Sequence, residues 1–370
     1  MTDLPKRKLE HLELCIREDV ESQRSTLLDE VQLLHEALPD LAWHEVDASV
    51  ELLGRQLQAP LLITGMTGGT GEAREINLAL AMAAQKNGFG IGVGSQRAML
   101  LDPSLVETYR LRDVAPDVLL LANLGAVQAR EVGPERVAAL AGAIGADAVC
   151  IHLNAAQELV QDDGDRDFRG LLGALSELVQ ELPLPVIVKE TGCGLAPNTL
   201  ARLRAAGVRW VDVAGAGGTS WAGVEALRGS VRQRALGSVL REWGIPTAAS
   251  VVYAERAGLD VIASGGIRSA LDVARALALG AQVVGLALPF LRAWAEGGAE
   301  SVLRTAESLS EGLRAVMALT GARRVADLRS VPRVLGPELG RWIDRDGASA
   351  PTDRSGRSGQ RSPGVESRKI

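Results

Sequence analysis

The stretch His152-Leu153-Asn154-Ala155-Ala156-Gln157-Glu158 brings an imidazole, two amides and a carboxylate close together in the chain. The run leading into it alternates. Cys150, His152 and Asn154 fall on one face of a strand, and Val149, Ile151 and Leu153 on the other. If the apolar face meets helices, His152 and Asn154 point into the mouth of the structure the strand helps to build. Gln157 and Glu158 then follow on the loop, where a carboxylate suits a hard cation and an amide can donate or accept. A single histidine would be read as a hydrogen-bonded core imidazole. Four polar groups converging on one strand end favour a site.

Lys189 is the second signal. The chain has five lysines against 35 arginines, and Lys189 closes the apolar run Val186-Ile187-Val188. A buried ammonium needs an anionic or polar partner. Glu190 falls on the opposite face by alternation, so the partner is either an internal carboxylate elsewhere or a bound ligand. A ligand is favoured, such as a flavin, whose reduced ring carries negative charge near N1 and C2=O. Glycine-rich turns at Gly215-Ala216-Gly217-Gly218-Thr219-Ser220 and Ser264-Gly265-Gly266-Ile267-Arg268 suit a phosphate, because backbone N–H groups and a helix N-terminus can face an anion there. Ser95-Gln96-Arg97 and the N-terminal Arg7-Lys8, with His11 nearby, could grip a second anion.

Such groups need a scaffold that gathers them. Eight short apolar runs recur with Ala-, Leu- and Arg-rich segments between them: 61–66, 89–93, 118–123, 148–152, 186–189, 210–213, 260–264 and 282–286. Each is apolar on both faces, as a helix-covered parallel sheet requires. Each ends in glycine or polar residues, where a (β/α)8 barrel mounts its chemistry. The expected fold is therefore an α/β TIM barrel, with a doubly wound open sheet as the alternative. The expected division is an N-terminal extension over 1–57, a barrel with closing helices over 58–346, and a disordered Ser/Gly/Pro/Arg-rich tail over 347–370. An amphipathic helix is expected around Leu27 to Leu38. The stretch from Ser220 to Ile245 is a long insertion after the sixth strand, either a lid or a packing element.

Composition narrows the function. A net charge of −6 over 370 residues argues against a nucleic-acid partner, and the basic tail leaves the body still more acidic. No apolar run reaches the length of a membrane helix or of a signal sequence. Three cysteines without metal or disulfide spacing fit a reducing, cytoplasmic compartment.

Taken together, the motifs RKLEH at 7–11, MTGG at 66–69, GSQR at 94–97, NLG at 123–125, HLNAAQE at 152–158, KETGCG at 189–194, AGAGGTSW at 214–221 and ASGGIR at 263–268 resemble the type 2 isopentenyl-diphosphate isomerases. These are flavin-dependent (β/α)8 barrels, and the likeness spans roughly residues 5 to 335. It implies FMN held by Gly65, Met66, Thr67, Ser95, Asn123, Lys189, Thr219, Gly265, Gly266, Arg268, Ala287 and Leu288. It implies a diphosphate substrate held by Arg7, Lys8, Ser95, Arg97 and Gln157. His152, Asn154 and Gln157 would be the catalytic set, with His152 cast as an orienting ligand rather than a proton donor, and Glu158 would hold Mg²⁺. NADPH would serve only to reduce the flavin, and the barrels would assemble into tetramers or octamers. One departure is visible. Asp162-Asp163-Gly164-Asp165 stands where the family often has Pro-Glu-Gly-Asp, which implies a looser metal loop.

Two other flavin barrels fit less well. A 2-hydroxy-acid oxidase needs a histidine base on the later strands, whereas the histidines here are at 11, 35, 44 and 152. The inosinate-dehydrogenase type needs a nucleophilic cysteine after the sixth strand, and none lies between Gly215 and Trp221. A non-catalytic flavin-binding module would leave Arg97, Gln157 and Glu158 without a purpose.

Overall fold

The computed structural model describes residues 4–344; the expected tail lies outside them. Eight parallel strands close into a barrel in chain order: β1 (Leu61–Ile63), β2 (Gly90–Gly92), β3 (Leu120–Gly125), β4 (Ala148–His152), β5 (Val186–Lys189), β6 (Trp210–Asp212), β7 (Asp260–Ala263) and β8 (Val283–Leu286). Pairing of Gly285 with Leu62 seals β8 to β1. The expected bounds hold for β4 and β5. β1 stops three residues early: Thr64 N still donates to Leu286 O of β8 at 2.9 Å, and beyond it the chain leaves the ladder to form the mouth.

Alternation along the strands sorts two apolar layers. Leu62, Leu121, Cys150, Ile187, Ile262 and Val283 fill the barrel interior, while Ile63, Val149, Ile151, Val188, Val211 and Val261 pack outward on the helices. The lower end is stoppered by a hairpin, Val50–Leu52 paired with Arg55–Leu57. Leu52 and Leu57 are buried with the interior side chains. Leu53 and Gly54 both have positive φ, 50° and 79°, as a two-residue type I′ turn requires. Each such leucine contributes roughly 1.5–3 kcal/mol by burial.

The extension differs from expectation. Its helix is Leu4–Arg17, and no helix forms over 27–38. Leu27 has φ of 58°, and Val31–Leu33 instead pairs antiparallel with Arg333–Leu335. Between these elements the chain runs along the sixth loop: Ser22 N donates to Gly218 O at 2.8 Å, and Ser220 N to Val20 O at 2.8 Å. The insertion forms two helices, Trp221–Arg228 and Val231–Leu240, started by Ser220 and by a Ser230/Gln233 capping box. The first of them packs against the N-terminal helix and the short helix Ala155–Val160. The long helix after β8, Leu288–Leu319, breaks at Gly297–Gly298, and a short helix, Pro337–Ile343, ends the described residues. Among the described residues no helix is long and apolar enough to cross a membrane.

Candidate active site

A cavity of about 250 Å³ opens at the C-terminal ends of the strands, roofed by the N-terminal helix and Trp221. Close backbone approach shapes its walls. A Cβ on Gly65 would sit 2.0 Å from Val93 O, and Gly266, at φ 70°, would meet Gly217 O at 2.3 Å. Thr67 is buried and lines the cavity, and its Oγ1 has no hydrogen-bond partner. A buried hydroxyl left this way is costly, and a polar ligand would satisfy it.

Lys189 meets an internal carboxylate that sequence reasoning missed. Its Nζ lies 3.4 Å from Asp212 Oδ2, across the β5–β6 register, and donates to Glu190 O at 2.9 Å. Asp212 Oδ1 accepts from Ser264 Oγ at 2.5 Å. Lys189 is thus ion-paired and at the same time borders the cavity. The Glu190 carboxylate turns the other way and accepts from the N–H groups of Thr191, Gly192 and Cys193, which fixes the loop after β5. Burial outweighs those bonds and raises Glu190 to about 7. Burial also pushes the Cys193 thiol up to about 12, so it is no thiolate nucleophile at neutral pH.

His152 is held neutral. Burial first, then the charges of Lys189 and Arg97, lower its pKa to about 3. Asn123 Nδ2 donates to Val93 O at 3.1 Å, so its Oδ1 is free to accept from His152 Nδ1–H at 2.8 Å. The other ring nitrogen, Nε2, then carries a lone pair and acts as an acceptor.

Asn154 Nδ2 donates to Glu158 Oε1 at 2.8 Å, and Asp165 N donates to Oε2 at 2.8 Å. The loop carrying the Asp-Asp-Gly-Asp departure is tied rather than loose. Gln128 Nε2 holds Asp165 Oδ2 at 2.7 Å, and Gly164 lies so close to Glu158 O that a Cβ would fall 2.0 Å from it. Among the described residues no three His, Cys, Asp or Glu side chains form a metal cage. A single carboxylate suits Mg²⁺ that keeps its waters and takes its remaining ligands from a phosphate.

The polar roof converges on Glu225, on the first helix of the insertion, which is fully buried. Its Oε1 accepts from Gln157 Nε2 at 3.1 Å and Gln161 Nε2 at 2.7 Å, and lies 2.9 Å from His11 Nε2; Arg228 Nη1 donates to Oε2 at 2.9 Å. Burial opposes its ionisation, but the hydrogen bonds and charges of His11, Gln157 and Arg228 prevail and hold it at about 2. The insertion is thus locked to the N-terminal helix and braces Gln157. Lys8 staples the same helix to the barrel, with all three donors used on Gly68 O, Ser95 O and Tyr109 Oη. Burial, then Arg7, lowers Lys8 to about 7. Arg268 turns to Glu21 of the extension at 2.5 Å.

The chain matches curated relatives along most of its length. Isopentenyl-diphosphate delta-isomerase of Synechococcus sp. is 49% identical over 341 residues, covering 91% of this chain and 97% of the relative. That of Methanothrix thermoacetophila is 46% identical over 335 residues, covering 89% and 93%. That of Methanosarcina mazei is 44% identical over 349 residues, covering 92% and 95%. The chain belongs to the isopentenyl-diphosphate delta-isomerase family. A model described as FMN-dependent dehydrogenase matches residues 156–333. Among solved structures, mandelate oxidase with (S)-2-phenylpropionate is 20% identical at a TM-score of 0.64, covering 88% of this chain and 94% of that one, a likeness of fold.

For this member of the isomerase family, every residue assigned above to FMN, the diphosphate, catalysis or Mg²⁺ borders this same cavity, from Arg7 and Lys8 through Gly65, Met66, Thr67, Ser95, Arg97, Asn123, His152, Asn154, Gln157, Glu158, Lys189, Thr219, Gly265, Gly266 and Arg268 to Ala287 and Leu288. Asp212, Glu225 and Gln161 were missed. Asp212 had a signal: an aspartate inside the apolar run of the strand after the one carrying Lys189. Glu225 follows Trp221 by four residues, one helical turn, in the otherwise apolar Trp221–Leu227.

Proposed function

We propose that the chain interconverts isopentenyl and dimethylallyl diphosphate by a 1,3-allylic proton shift, with reduced FMN and Mg²⁺ as cofactors and NADPH as the flavin's reductant. The observation that carries the reading is the unpartnered Thr67 hydroxyl in a glycine-walled cavity that also holds the Lys189 ammonium. Together these fit a planar, polar-edged, anionic ligand such as reduced FMN. Gly65, Met66, Thr67, Ser95, Asn123 and Lys189 would hold its ring end, and Thr219, Gly265, Gly266, Arg268, Ala287 and Leu288 its phosphate end. When bound, reduced FMN would supply a proton-exchanging nitrogen, N5, for the allylic shift. Mg²⁺ on Glu158 would neutralise diphosphate charge.

The chain's own part is positioning and electrostatics. Lys189, held in place by Asp212, would serve the anionic reduced ring as an N–H donor rather than as a net charge. Arg7, Ser95, Arg97 and Gln157 hold the diphosphate, Lys8, whose three donors are already used, adds only its charge, and the buried Glu225 keeps Gln157 in one orientation. His152, Asn154 and Gln157 line the reacting region. A neutral His152 with a pKa near 3 is a weak base and supplies no proton at neutral pH, which supports an orienting role and disfavours the 2-hydroxy-acid oxidase reading. Besides these cofactors the partner proposed is the diphosphate substrate, in the cytoplasm, with assembly into tetramers or octamers and no nucleic-acid or membrane partner.

The test is anaerobic: the protein, pre-reduced FMN, Mg²⁺ and isopentenyl diphosphate, with product followed against flavin absorbance. Product is expected without flavin reoxidation. Consumption of one reducing equivalent per product would overturn the isomerase reading.

A further inference from the structure

The acidic run Asp162-Asp163-Gly164-Asp165 takes no part in that reaction, yet two of its carboxylates face the arginines assigned to the diphosphate. Asp163 Oδ2 lies 3.5 Å from Arg7 Nη1, and Asp165 Oδ2 lies 3.8 Å from Arg97 Nη1. Both arginines border the mouth cavity. Asp165 is fixed in place by Gln128 through its side chain and by Glu158 through its backbone N–H. Two negative charges thus stand beside two positive ones, and the Glu158 carboxylate adjoins them.

An arginine this close to a carboxylate presents little net field to an arriving anion, and the anion also feels the carboxylate directly. A divalent cation reverses the sign of that second effect. We propose that Asp163 and Asp165 make diphosphate binding conditional on a divalent cation, weakening the hold of Arg7 and Arg97 on the metal-free anion while leaving the metal complex favoured. This rests on the reading of Arg7, Arg97 and Glu158 given above. At a water-like dielectric, as these partly exposed groups at the mouth require, and at a separation of about 7 Å, neutralising one carboxylate tightens anion binding about threefold, and neutralising both about tenfold.

The probe is inorganic diphosphate, titrated calorimetrically into the FMN-loaded enzyme with saturating Mg²⁺ and again with chelator. Mg²⁺ tightens binding to the wild type. In the Asp163→Asn, Asp165→Asn double variant the metal-free Kd falls about tenfold, while the Kd with Mg²⁺ stays within about threefold. The substitution keeps an oxygen for Gln128, and unchanged FMN quenching reports an intact fold. Should the double variant misfold, each single variant carries the test at about threefold. Asp167→Asn is the control, because that carboxylate pairs with the exposed Arg169, and it leaves both constants unchanged. Metal-free binding that stays the same or weakens in the Asp163 and Asp165 variants would overturn the proposal. Failure of the underlying functional reading looks different: the wild type would then bind no diphosphate under either condition and would not isomerise the substrate.

Discussion

Glu225→Gln tests the roof of the site most directly. The substitution keeps the shape and removes the buried charge that meets His11, Gln157, Gln161 and Arg228. Breaking a buried ion pair costs about 3–5 kcal/mol. Arg228 keeps two bonds to Glu10 Oε2, at 3.0 and 2.8 Å, which places the loss at the lower end. Proton linkage gives a matching figure: depression of the carboxyl from 4.5 to about 2 corresponds to roughly 3 kcal/mol. Its folded pKa is lowered, so this stability is fully present above the unfolded value of 4.5 and is lost as pH falls through about 2. Urea denaturation of both proteins from pH 7 downward is the assay. The wild type is expected to exceed the variant by about 3 kcal/mol at pH 7, with the gap constant to about pH 4.5 and shrinking below it. A gap under about 1 kcal/mol, or one that widens on acidification, would refute the placement of an ionised carboxylate at the centre of this network.

Thr67→Val should weaken FMN binding about fivefold in a flavin-fluorescence titration without lowering the stability of the flavin-free protein, because the hydroxyl has no partner to lose. Loss of stability in the flavin-free protein would show that the hydroxyl is already satisfied. Glu158→Gln should raise the Mg²⁺ concentration for half-maximal activity about tenfold or more; unchanged metal dependence would mean the ion is held elsewhere. His152→Gln should raise the apparent Kd for substrate several-fold and leave the single-turnover rate within about tenfold. An unchanged affinity with a rate lower by orders of magnitude would make His152 the proton donor.

The barrel was legible because its period is local. Each strand announces itself by a few apolar residues and a glycine or polar end, and alternation alone sent His152 and Asn154 to the mouth. What was missed depends on partners far away in the chain. Leu27, Leu28, Val31, Leu34 and Leu38 are spaced like a helical stripe, but the first three are buried where the chain passes the helices Thr247–Arg256 and Ala270–Ala278, bonding through Thr26 O and Val31 O. Leu34 and Leu38 are 48% and 85% exposed. The competing partner, Arg333–Leu335, lies some 300 residues on, and no local pattern names it. Glu225 escaped for a similar reason: one carboxylate in an apolar helix becomes a hub only when His11 and Gln157 arrive from two other elements. For Lys189 the sequence favours a bound ligand over an internal carboxylate, because Asp212 is adjacent only through the β5–β6 register.

The hairpin at Val50–Leu57 has a kinetic consequence. With Leu52 and Leu57 stoppering the barrel from below, the mouth is the way in and out for anything bound inside. The groups proposed for the flavin stand on the strand ends, and those proposed for the diphosphate stand largely on the helix and loops above them. On the proposed assignments traffic is ordered like a stack: the flavin loads first, many substrates come and go over it, and it cannot depart while one of them is seated. Substrate should therefore slow flavin dissociation even if it adds no contact to the ring.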